Sequence, residues 1–148
     1  MISVRKASIS DVAVLQHFQK QLYGQDFDAS NPPDLERIIL DGRAWVATDD
    51  SAVIGYQACE LNDLSQKYFP NSVFLSELFV AADSRKRGAG RLLVEAALNE
   101  DWPKEYVSIS LTHDPAEPHL TEYYGRFGFK ECGRTDVGNV MMIRPRQQ

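Results

Sequence analysis

The amino-acid sequence predicts an α/β fold, in which a mixed, mostly antiparallel sheet contains one central parallel β-α-β unit and is flanked by helices. One observation is that apolar runs with the two-residue period of strands alternate with runs of helical period. A second is the almost continuously apolar segment 73–80, typical of a strand covered on both faces, which precedes an amphipathic segment. A third is size: 148 residues that are 43% hydrophobic fit a single domain, residues 1–148, with no room for a second core.

The first half of the chain reads as a strand, two helices and a hairpin. Residues 2–7 alternate like a strand, and Ser10 or Asp11 can cap a helix that runs to about Tyr23 and ends at Gly24. The apolar stripe of this helix is interpreted as core. Its members are Val12, Leu15, Phe18, Gln19 and Leu22. A polar stretch, 25–33, precedes a short helix, 34–40, and two strands, 44–48 and 53–59, that form an antiparallel hairpin.

The second half carries the parallel unit. After the loop 62–71, the strand 73–80, a helix from Gly88 to about Glu100 and a strand 106–111 form a right-handed β-α-β crossover, and this arrangement leaves a crevice at the carboxyl ends of its strands. A helix over 118–127 and strands near 129–132 and 137–143 complete the sheet.

Charge is distributed unevenly along the chain. Residues 85–91 carry a local charge of +4 within a chain of net charge −5, which leaves −9 on the remainder. Nonspecific nucleic-acid binding needs a broad basic surface, so the sequence predicts no nucleic-acid partner. A small cationic spot suits one compact anionic ligand, while the acidic remainder would attract a cationic second substrate.

Other classes of protein are disfavoured. No apolar run approaches the roughly 20 residues of a membrane span, and the N-terminus lacks a secretory signal, so we expect a cytoplasmic protein without a membrane partner. Cys59 and Cys132 are read as buried or unpaired thiols. The histidines, His17, His113 and His119, show no metal-ligand spacing, and no metal is expected.

The basic turn is the main functional signal. Gly88 and Gly90 let the backbone turn sharply where a helix begins, and the unpaired N–H groups and positive dipole end of that helix attract phosphate. The alternative is a solvated basic loop that caps the helix. A nucleoside-triphosphatase loop is excluded because Arg91 follows Gly90, and a dinucleotide fingerprint is excluded because Leu93 stands where its third glycine would be.

The spacing Arg85-x-x-Gly88-x-Gly90, with the strand before it, resembles the acetyl-CoA motif of the GNAT superfamily of N-acetyltransferases. The segment 123–129, Tyr-Tyr-Gly-Arg-Phe-Gly-Phe, resembles the aromatic segment later in that family. Many members carry an asparagine in the preceding loop, where this chain has residues 113–119 instead. The resemblance implies the GNAT fold and acetyl-CoA as co-substrate. Dimers are common in the superfamily, so it also implies a homodimer.

The resemblance also implies the donor contacts. The backbone around Phe79 and Val80 would pair with the pantetheine arm, and Arg126 would reach the nucleotide end of coenzyme A. The pyrophosphate would be held by the whole turn: Arg85, Lys86, Arg87, Gly88, Ala89, Gly90 and Arg91.

Transfer of an acetyl group to an amine needs a neutral nitrogen and a proton donor for the departing thiolate. Glu77 shares a strand face with Val73, Leu75 and Phe79, an apolar setting that tends to raise a carboxyl pKa and favours a base. Several families in the superfamily place a catalytic glutamate on this strand, acting directly or through water. The alternative is a structural carboxylate bonded to backbone or to an arginine.

Tyr124 stands where the superfamily often has a tyrosine that donates a proton or hydrogen bond to the coenzyme A sulfur. The alternative is packing, because Leu120, Tyr123, Tyr124 and Phe127 also form an ordinary apolar helix face.

The leading hypothesis is therefore an acetyltransferase acting on a small primary amine, with Asp26, Asp28 and Asp34 in the region that would select a cationic acceptor. A second hypothesis is acetylation of a protein N-terminus or lysine. A third is a non-catalytic acyl-CoA-binding or regulatory domain. The acceptor is not identified, and its contacts are expected in the segments 22–43 and 62–71.

Overall fold

The structure is a computed structural model that describes residues 1–24 and 33–146. These residues form seven strands and four α-helices, joined in places by short 3-10 turns. In chain order the elements are β1 (Ile2–Lys6), α1 (Val12–Tyr23), α2 (Leu35–Leu40), β2 (Ala44–Asp49), β3 (Ala52–Asn62), β4 (Ser72–Val80), α3 (Ala89–Leu98), β5 (Ser108–His113), α4 (His119–Gly125), β6 (Lys130–Arg134) and β7 (Val140–Pro145). None of the helices in the described ranges is long and apolar enough to cross a membrane.

The chain folds as two compact units, and the prediction of a single domain stays a prediction. The first unit contains Met1–Cys59 and Ser76–Glu100, and the second contains Glu60–Leu75 and Asp101–Gln148. In the first unit β1 pairs antiparallel with β2, and β2 pairs antiparallel with β3. The turn between β2 and β3 is tight, since Asp50 and Ser51 both have positive φ, 49° and 74°.

The core of the first unit lies between its sheet and two helices. Its members are Leu15, Phe18, Leu35, Ile38, Ile39, Ala44, Val46, Tyr56, Ala58 and Phe79. They come from α1, α2 and one face of strands β2 to β4, because side chains alternate along a strand. Trp45 and Ala47 point to the opposite face and are also buried, and α3 packs against β1 and β2.

The caps of the two N-terminal helices follow from their sequence. Gly24 ends α1 with φ 56°, and the Asp34 side chain accepts a hydrogen bond from the Arg37 N–H at the start of α2. Both ends agree with the predictions. Asp26 and Asp28, predicted in the acceptor region, lie outside the described residues.

The second unit holds the parallel pair. Ser72, Val73 and Phe74 of β4 pair parallel with β5, which pairs antiparallel with β7, and β7 with β6. A parallel pair joined through a helix is what the β-α-β pattern predicted, so the mixed α/β fold class is confirmed.

Several predicted boundaries differ from the structure, and two examples lie in the β-α-β unit. The helix predicted from Gly88 begins at Ala89, because Gly88 adopts a left-handed conformation that a helix cannot contain. The strand predicted over 106–111 begins at Ser108 and extends to His113. Tyr106 instead donates its N–H to the Pro103 carbonyl in a turn before the strand.

Candidate active site

The start of α3 has the geometry of an anion site. Gly88 is its N-cap with φ 89° and ψ 2°, and Leu92 donates the first backbone hydrogen bond, 3.1 Å to the Gly88 carbonyl oxygen. The N–H groups of Ala89, Gly90 and Arg91 therefore precede the hydrogen-bond ladder of the helix. Together with the positive end of the helix dipole they form a preorganised set of donors for an anion.

The side chains of the turn are already engaged with neighbours in the first unit. Arg85 Nε donates to the Val80 carbonyl oxygen at 2.9 Å, and its guanidinium lies 5.8 Å from the centre of the Phe79 ring. Arg87 pairs with Asp49 at 2.8 Å, and Arg91 lies 3.7 Å from Glu95. The hydrogen bond from Arg87 lowers the pKa of the Asp49 carboxyl. An anion at the turn would thus compete with carboxylates for two of the predicted arginines.

The end of β4 exposes alternating backbone groups beside the turn. A Cβ on Gly55 of β3 would lie 2.5 Å from the Phe79 carbonyl oxygen, and Ala81 donates its N–H to Ile54 at 2.8 Å. Phe79 therefore faces β3, and by alternation the N–H and carbonyl groups of Leu78 and Val80 point the other way. The predicted pantetheine contact of the backbone around Phe79 and Val80 stays a prediction, and the Phe79 carbonyl oxygen itself is turned toward β3.

Glu77 is buried among neutral hydrogen-bond donors. It is 2% exposed, and within the described residues its carboxylate accepts from Gln19, Tyr23 and Tyr56. The Gln19 amide reaches both oxygens, at 3.2 and 3.1 Å, Tyr23 lies 2.6 Å from Oε2 and Tyr56 lies 2.9 Å from Oε1. We call these four residues the Glu77 cluster.

Two buried groups around Glu77 help to fix its position. Burial, reinforced by the Glu77 carboxylate, raises the pKa of the Tyr56 phenol, so this hydroxyl stays protonated and donates. On β3, the Gln57 amide donates to the Glu77 backbone carbonyl at 2.8 Å. The side chain and the main chain of Glu77 are therefore held by different partners.

The predicted environment of Glu77 was wrong in one respect. Val73, Leu75 and Phe79 do share its strand face and are buried, as expected from alternation. Helix α1 and strand β3, however, place three polar side chains around the carboxylate, where an apolar environment was predicted. These donors are amide and phenol side chains, whereas the structural alternative named the backbone or an arginine.

Tyr124 lies on α4 in the second unit, inside an aromatic group. Its ring centroid lies 5.1 Å from that of Tyr123 and 5.9 Å from that of Phe129, both in edge-on geometry. Burial raises the pKa of its phenol, which keeps the proton that an acid must donate. The same packing suits the alternative of a structural tyrosine, so the catalytic role stays a prediction.

Other predicted residues of the second unit have local partners. Arg126 is 74% exposed and pairs with Glu122 on the same helix at 3.1 Å. His113 is buried: its Nδ1 lies 3.0 Å from the Asp114 carbonyl oxygen and its Nε2 lies 2.9 Å from the Thr121 hydroxyl. Since a carbonyl only accepts, Nδ1 carries the proton in the neutral ring. Within residues 1–24 and 33–146, no cluster of three or more metal-ligating side chains occurs.

A family model described as acetyltransferase (GNAT) domain matches residues 41–131, more than half of the chain. The chain belongs to the GNAT family. The predicted family and enzyme class are thereby confirmed. The match includes Glu77, Tyr124 and the whole basic turn.

A UPF0039 protein of the cyanobacterium Synechocystis sp. is 32% identical to this GNAT domain over 97 residues. The match covers 64% of the chain and spans 59% of the length of that relative.

Solved structures support the GNAT fold. The PaiA N-acetyltransferase of Thermoplasma acidophilum, in complex with coenzyme A, matches with a TM-score of 0.74 at 19% identity over 99% of each chain. A GNAT acetyltransferase of Staphylococcus aureus Mu50 gives 0.78 at 19% identity, over 99% of this chain and 100% of that one. Naa50 of Arabidopsis thaliana, in complex with the bisubstrate analogue CoA-Ac-MVNAL, gives 0.74 at 16% identity over 99% of each chain.

The residues missed from the sequence are those that surround Glu77. Gln19 was counted in the apolar stripe of α1, and a buried polar residue at a core position was the available signal. Tyr56 is buried on β3, and the alternation of the strand predicts it only as a core residue. The available signal was its hydroxyl, which needs a hydrogen-bond partner when it is buried. No signal in the sequence distinguished Tyr23 or the backbone of Leu78.

Proposed function

We propose that this GNAT domain transfers the acetyl group of acetyl-CoA to a primary amine of a small molecule. The observation that carries the proposal is the Glu77 carboxylate, buried and held by neutral donors on the strand that leads into the helix start. Coenzyme A in the PaiA structure supports the choice of donor. The GNAT family match supports the reaction type.

The donor would be held mainly by the first unit. The N–H groups at the start of α3 and the side chains of Arg85, Lys86, Arg87 and Arg91 would bind the pyrophosphate, with Gly88, Ala89 and Gly90 supplying the turn. The backbone around Phe79 and Val80 would bind the pantetheine arm, through the outward groups of Leu78 and the N–H of Val80. The Val80 carbonyl oxygen already accepts from Arg85. Arg126 remains the candidate for the nucleotide end, on the resemblance alone.

The proposed chemistry needs two proton carriers. Glu77, acting directly or through water, takes a proton from the substrate ammonium, and the neutral nitrogen then attacks the thioester carbonyl carbon. A carbon–nitrogen bond forms and the carbon–sulfur bond breaks. Tyr124 donates a proton to the departing sulfur, and the second nitrogen proton passes through water to the Tyr124 phenolate as the amide forms. Glu77 then returns its proton to solvent. The products are an N-acetylated amine and coenzyme A with a free thiol.

Peptide acetylation is the second candidate. It is favoured by two structural neighbours, Naa50 in complex with CoA-Ac-MVNAL and the ribosomal-protein-S18-alanine N-acetyltransferase of Escherichia coli, which has a TM-score of 0.73. Both resemble this chain at 16% identity or less.

The direct test follows thiol release from acetyl-CoA across polyamines, amino acids, aminoglycosides and peptides. We expect turnover with a small amine. Turnover confined to peptides would transfer the proposal to the second candidate. Coenzyme A binding without turnover on any member of the panel would instead indicate a regulatory acyl-CoA-binding domain.

The donor site has its own prediction. In Gly88→Ala, the added Cβ meets open space, but the alanine has to keep the left-handed backbone conformation of Gly88. This conformation costs about 1–2 kcal/mol for a residue other than glycine. If the turn relaxes, its N–H groups move, and coenzyme A binding should weaken up to about tenfold, equivalent to about 1.4 kcal/mol. Calorimetric titration with coenzyme A measures this.

Gly125→Ala is the matched control for that variant. Its Cβ also meets open space, but Gly125 lies in a helix, where alanine is favoured by about 0.5–1 kcal/mol. Coenzyme A affinity should stay unchanged. Equal losses in both variants would show that the conformation of Gly88 does not hold the donor.

A further inference from the structure

The second unit contains a cavity whose lining includes none of the residues proposed above to bind coenzyme A. Its volume is about 500 Å³, and it is lined by the end of β3, the loop before β4, the start of β4, the end of β5, and the turn between β6 and β7. Part of the lining therefore comes from the loop 62–71, which is predicted from the sequence to contribute acceptor contacts.

The charge of the lining has one sign. Glu60 and Asp136 contribute carboxylates, and in the part of the chain that the structure describes no lysine, arginine or histidine lines the cavity. Lys67 pairs with Asp136 at 2.7 Å and lowers the pKa of that carboxyl, so Asp136 is ionised near neutral pH. The Lys67 ammonium also lies 5.3 Å from the centre of the Tyr68 ring. Glu60 adds a second carboxylate, so the lining keeps a net negative charge beside this ion pair and suits a cation.

Aromatic rings form the apolar part of the lining. Phe69 is buried, and its ring centroid lies 6.1 Å from that of Phe74. Tyr68 accepts a hydrogen bond from the Asp136 N–H at 2.8 Å, which ties the loop to the β6–β7 turn. Aromatic faces attract organic cations, and they also cover the carbon skeleton that carries the charge.

We propose that this cavity binds a small organic cation: an amine, protonated when it binds, whose carbon skeleton packs on Phe69, Phe74 and Tyr68 while its ammonium faces Glu60 and Asp136. The inference goes beyond the proposed function, because it assigns a binding site for an organic cation whose lining includes neither Glu77 nor Tyr124. A neutral alcohol with the same carbon skeleton would pack on the same rings but would lack the charge attraction to the carboxylates. It should therefore bind more weakly.

The test compares 2-phenylethylamine with 2-phenylethanol by calorimetric titration, with and without saturating coenzyme A, which carries no acetyl group to transfer. The amine should bind about threefold to tenfold more tightly than the alcohol, from its cation–aromatic and carboxylate contacts. Equal affinities, or no binding of the amine in either condition, would overturn the proposal.

Variants locate the binding. Glu60→Gln and Asp136→Asn should each weaken amine binding about twofold to fivefold and leave the alcohol unchanged, while Phe74→Leu should weaken both ligands. Lys67→Met removes a competing cation from Asp136 and should tighten amine binding. Glu105→Gln, an exposed carboxylate of the same unit that does not line the cavity, is the matched control. If Glu105→Gln acts like Glu60→Gln, the effect is general charge and the assigned cavity is wrong.

Failure here is distinguishable from failure of the proposed function. Amine binding is read without any turnover, whereas the proposed function is read from coenzyme A binding and thiol release. Suppose that the protein releases thiol with amines, but that its amine affinity is unchanged by the substitutions at Glu60, Asp136 and Phe74. The proposed function would then stand, and this inference would be wrong.

Discussion

Helix α1 contacts a buried carboxylate at each end, and the two are stabilised differently. At its start Asp11 is 6% exposed and accepts from both guanidinium NH groups of Arg5, at 2.8 and 3.1 Å, and from the Ser8 N–H at 2.8 Å. Toward its end, Gln19 and Tyr23 donate to Glu77, whose described donors are neutral.

The difference separates a structural carboxylate from a candidate base. The hydrogen bond from Arg5 lowers the pKa of Asp11, and protonating Asp11 would break its ion pair and weaken its charge-assisted hydrogen bonds with Arg5. Glu77 has no such partner among its described donors, so a proton gained there leaves no cation unpaired. Burial is similar at the two sites, and the donors differ: a guanidinium contacts Asp11, and neutral groups contact Glu77.

The largest expected effect that tests this contrast is on turnover. Glu77→Gln keeps the shape of the side chain but cannot take up a proton, so kcat should fall about 10²- to 10⁴-fold while coenzyme A affinity is kept. Steady-state kinetics and calorimetric titration measure the two quantities. Asp11→Asn in the same assay should keep kcat. Full turnover in Glu77→Gln would make Glu77 structural and remove the contrast.

The second effect is on stability and its pH dependence. Because the folded-state pKa of Asp11 is lowered, its contribution is fully present above the unfolded value, about 3.9, and is lost as the pH falls through the folded value. Asp11→Asn should therefore lower the free energy of unfolding by about 1–3 kcal/mol near neutral pH, and by progressively less below about pH 4.

Denaturant unfolding near neutral pH and below about pH 4 measures the loss of stability in Asp11→Asn. A double-mutant cycle with Arg5→Met isolates the contribution of the ion pair. A destabilisation that persists unchanged in acid, or that is the same with and without Arg5, would mean that the carboxylate charge is not what stabilises this end of α1.

The contrast also explains which parts of the site were predictable. The basic turn lies in one contiguous stretch, and the conformation it needs is specified by Gly88 itself, so local sequence was enough. The face of β4 on which Glu77 lies was predictable because side chains alternate along a strand. Its donors lie 21, 54 and 58 residues away, and only the packing of α1 and β3 against β4 brings them together.

The elements themselves followed the sequence closely, because strand and helix periods, Gly24 and the Asp34 cap are local signals. Two contacts were not predictable: the ion pair between Arg87 and Asp49, and the close approach of the Phe79 carbonyl oxygen to Gly55. Both depend on how the strands are aligned, and the hydrophobic pattern does not specify that alignment at polar or glycine positions.

The smallest expected effect concerns the neutral donors of the Glu77 cluster. Tyr23→Phe and Gln19→Met each remove one donor side chain from the carboxylate, at a net cost of about 0.5–1.5 kcal/mol per hydrogen bond. If those bonds position the base, kcat should fall roughly twofold to tenfold in each variant with coenzyme A affinity kept.

Gln21→Met is the matched control, since Gln21 lies on the same helix but is exposed and bonds to His17. It should change neither kcat nor stability appreciably. The Tyr23 and Gln19 side chains donate to the same carboxylate. The effect of the double variant on kcat should therefore differ from the product of the two single effects. Variants that lower the unfolding temperature but leave kcat and its pH profile unchanged would show that the donors stabilise a buried charge without serving the reaction.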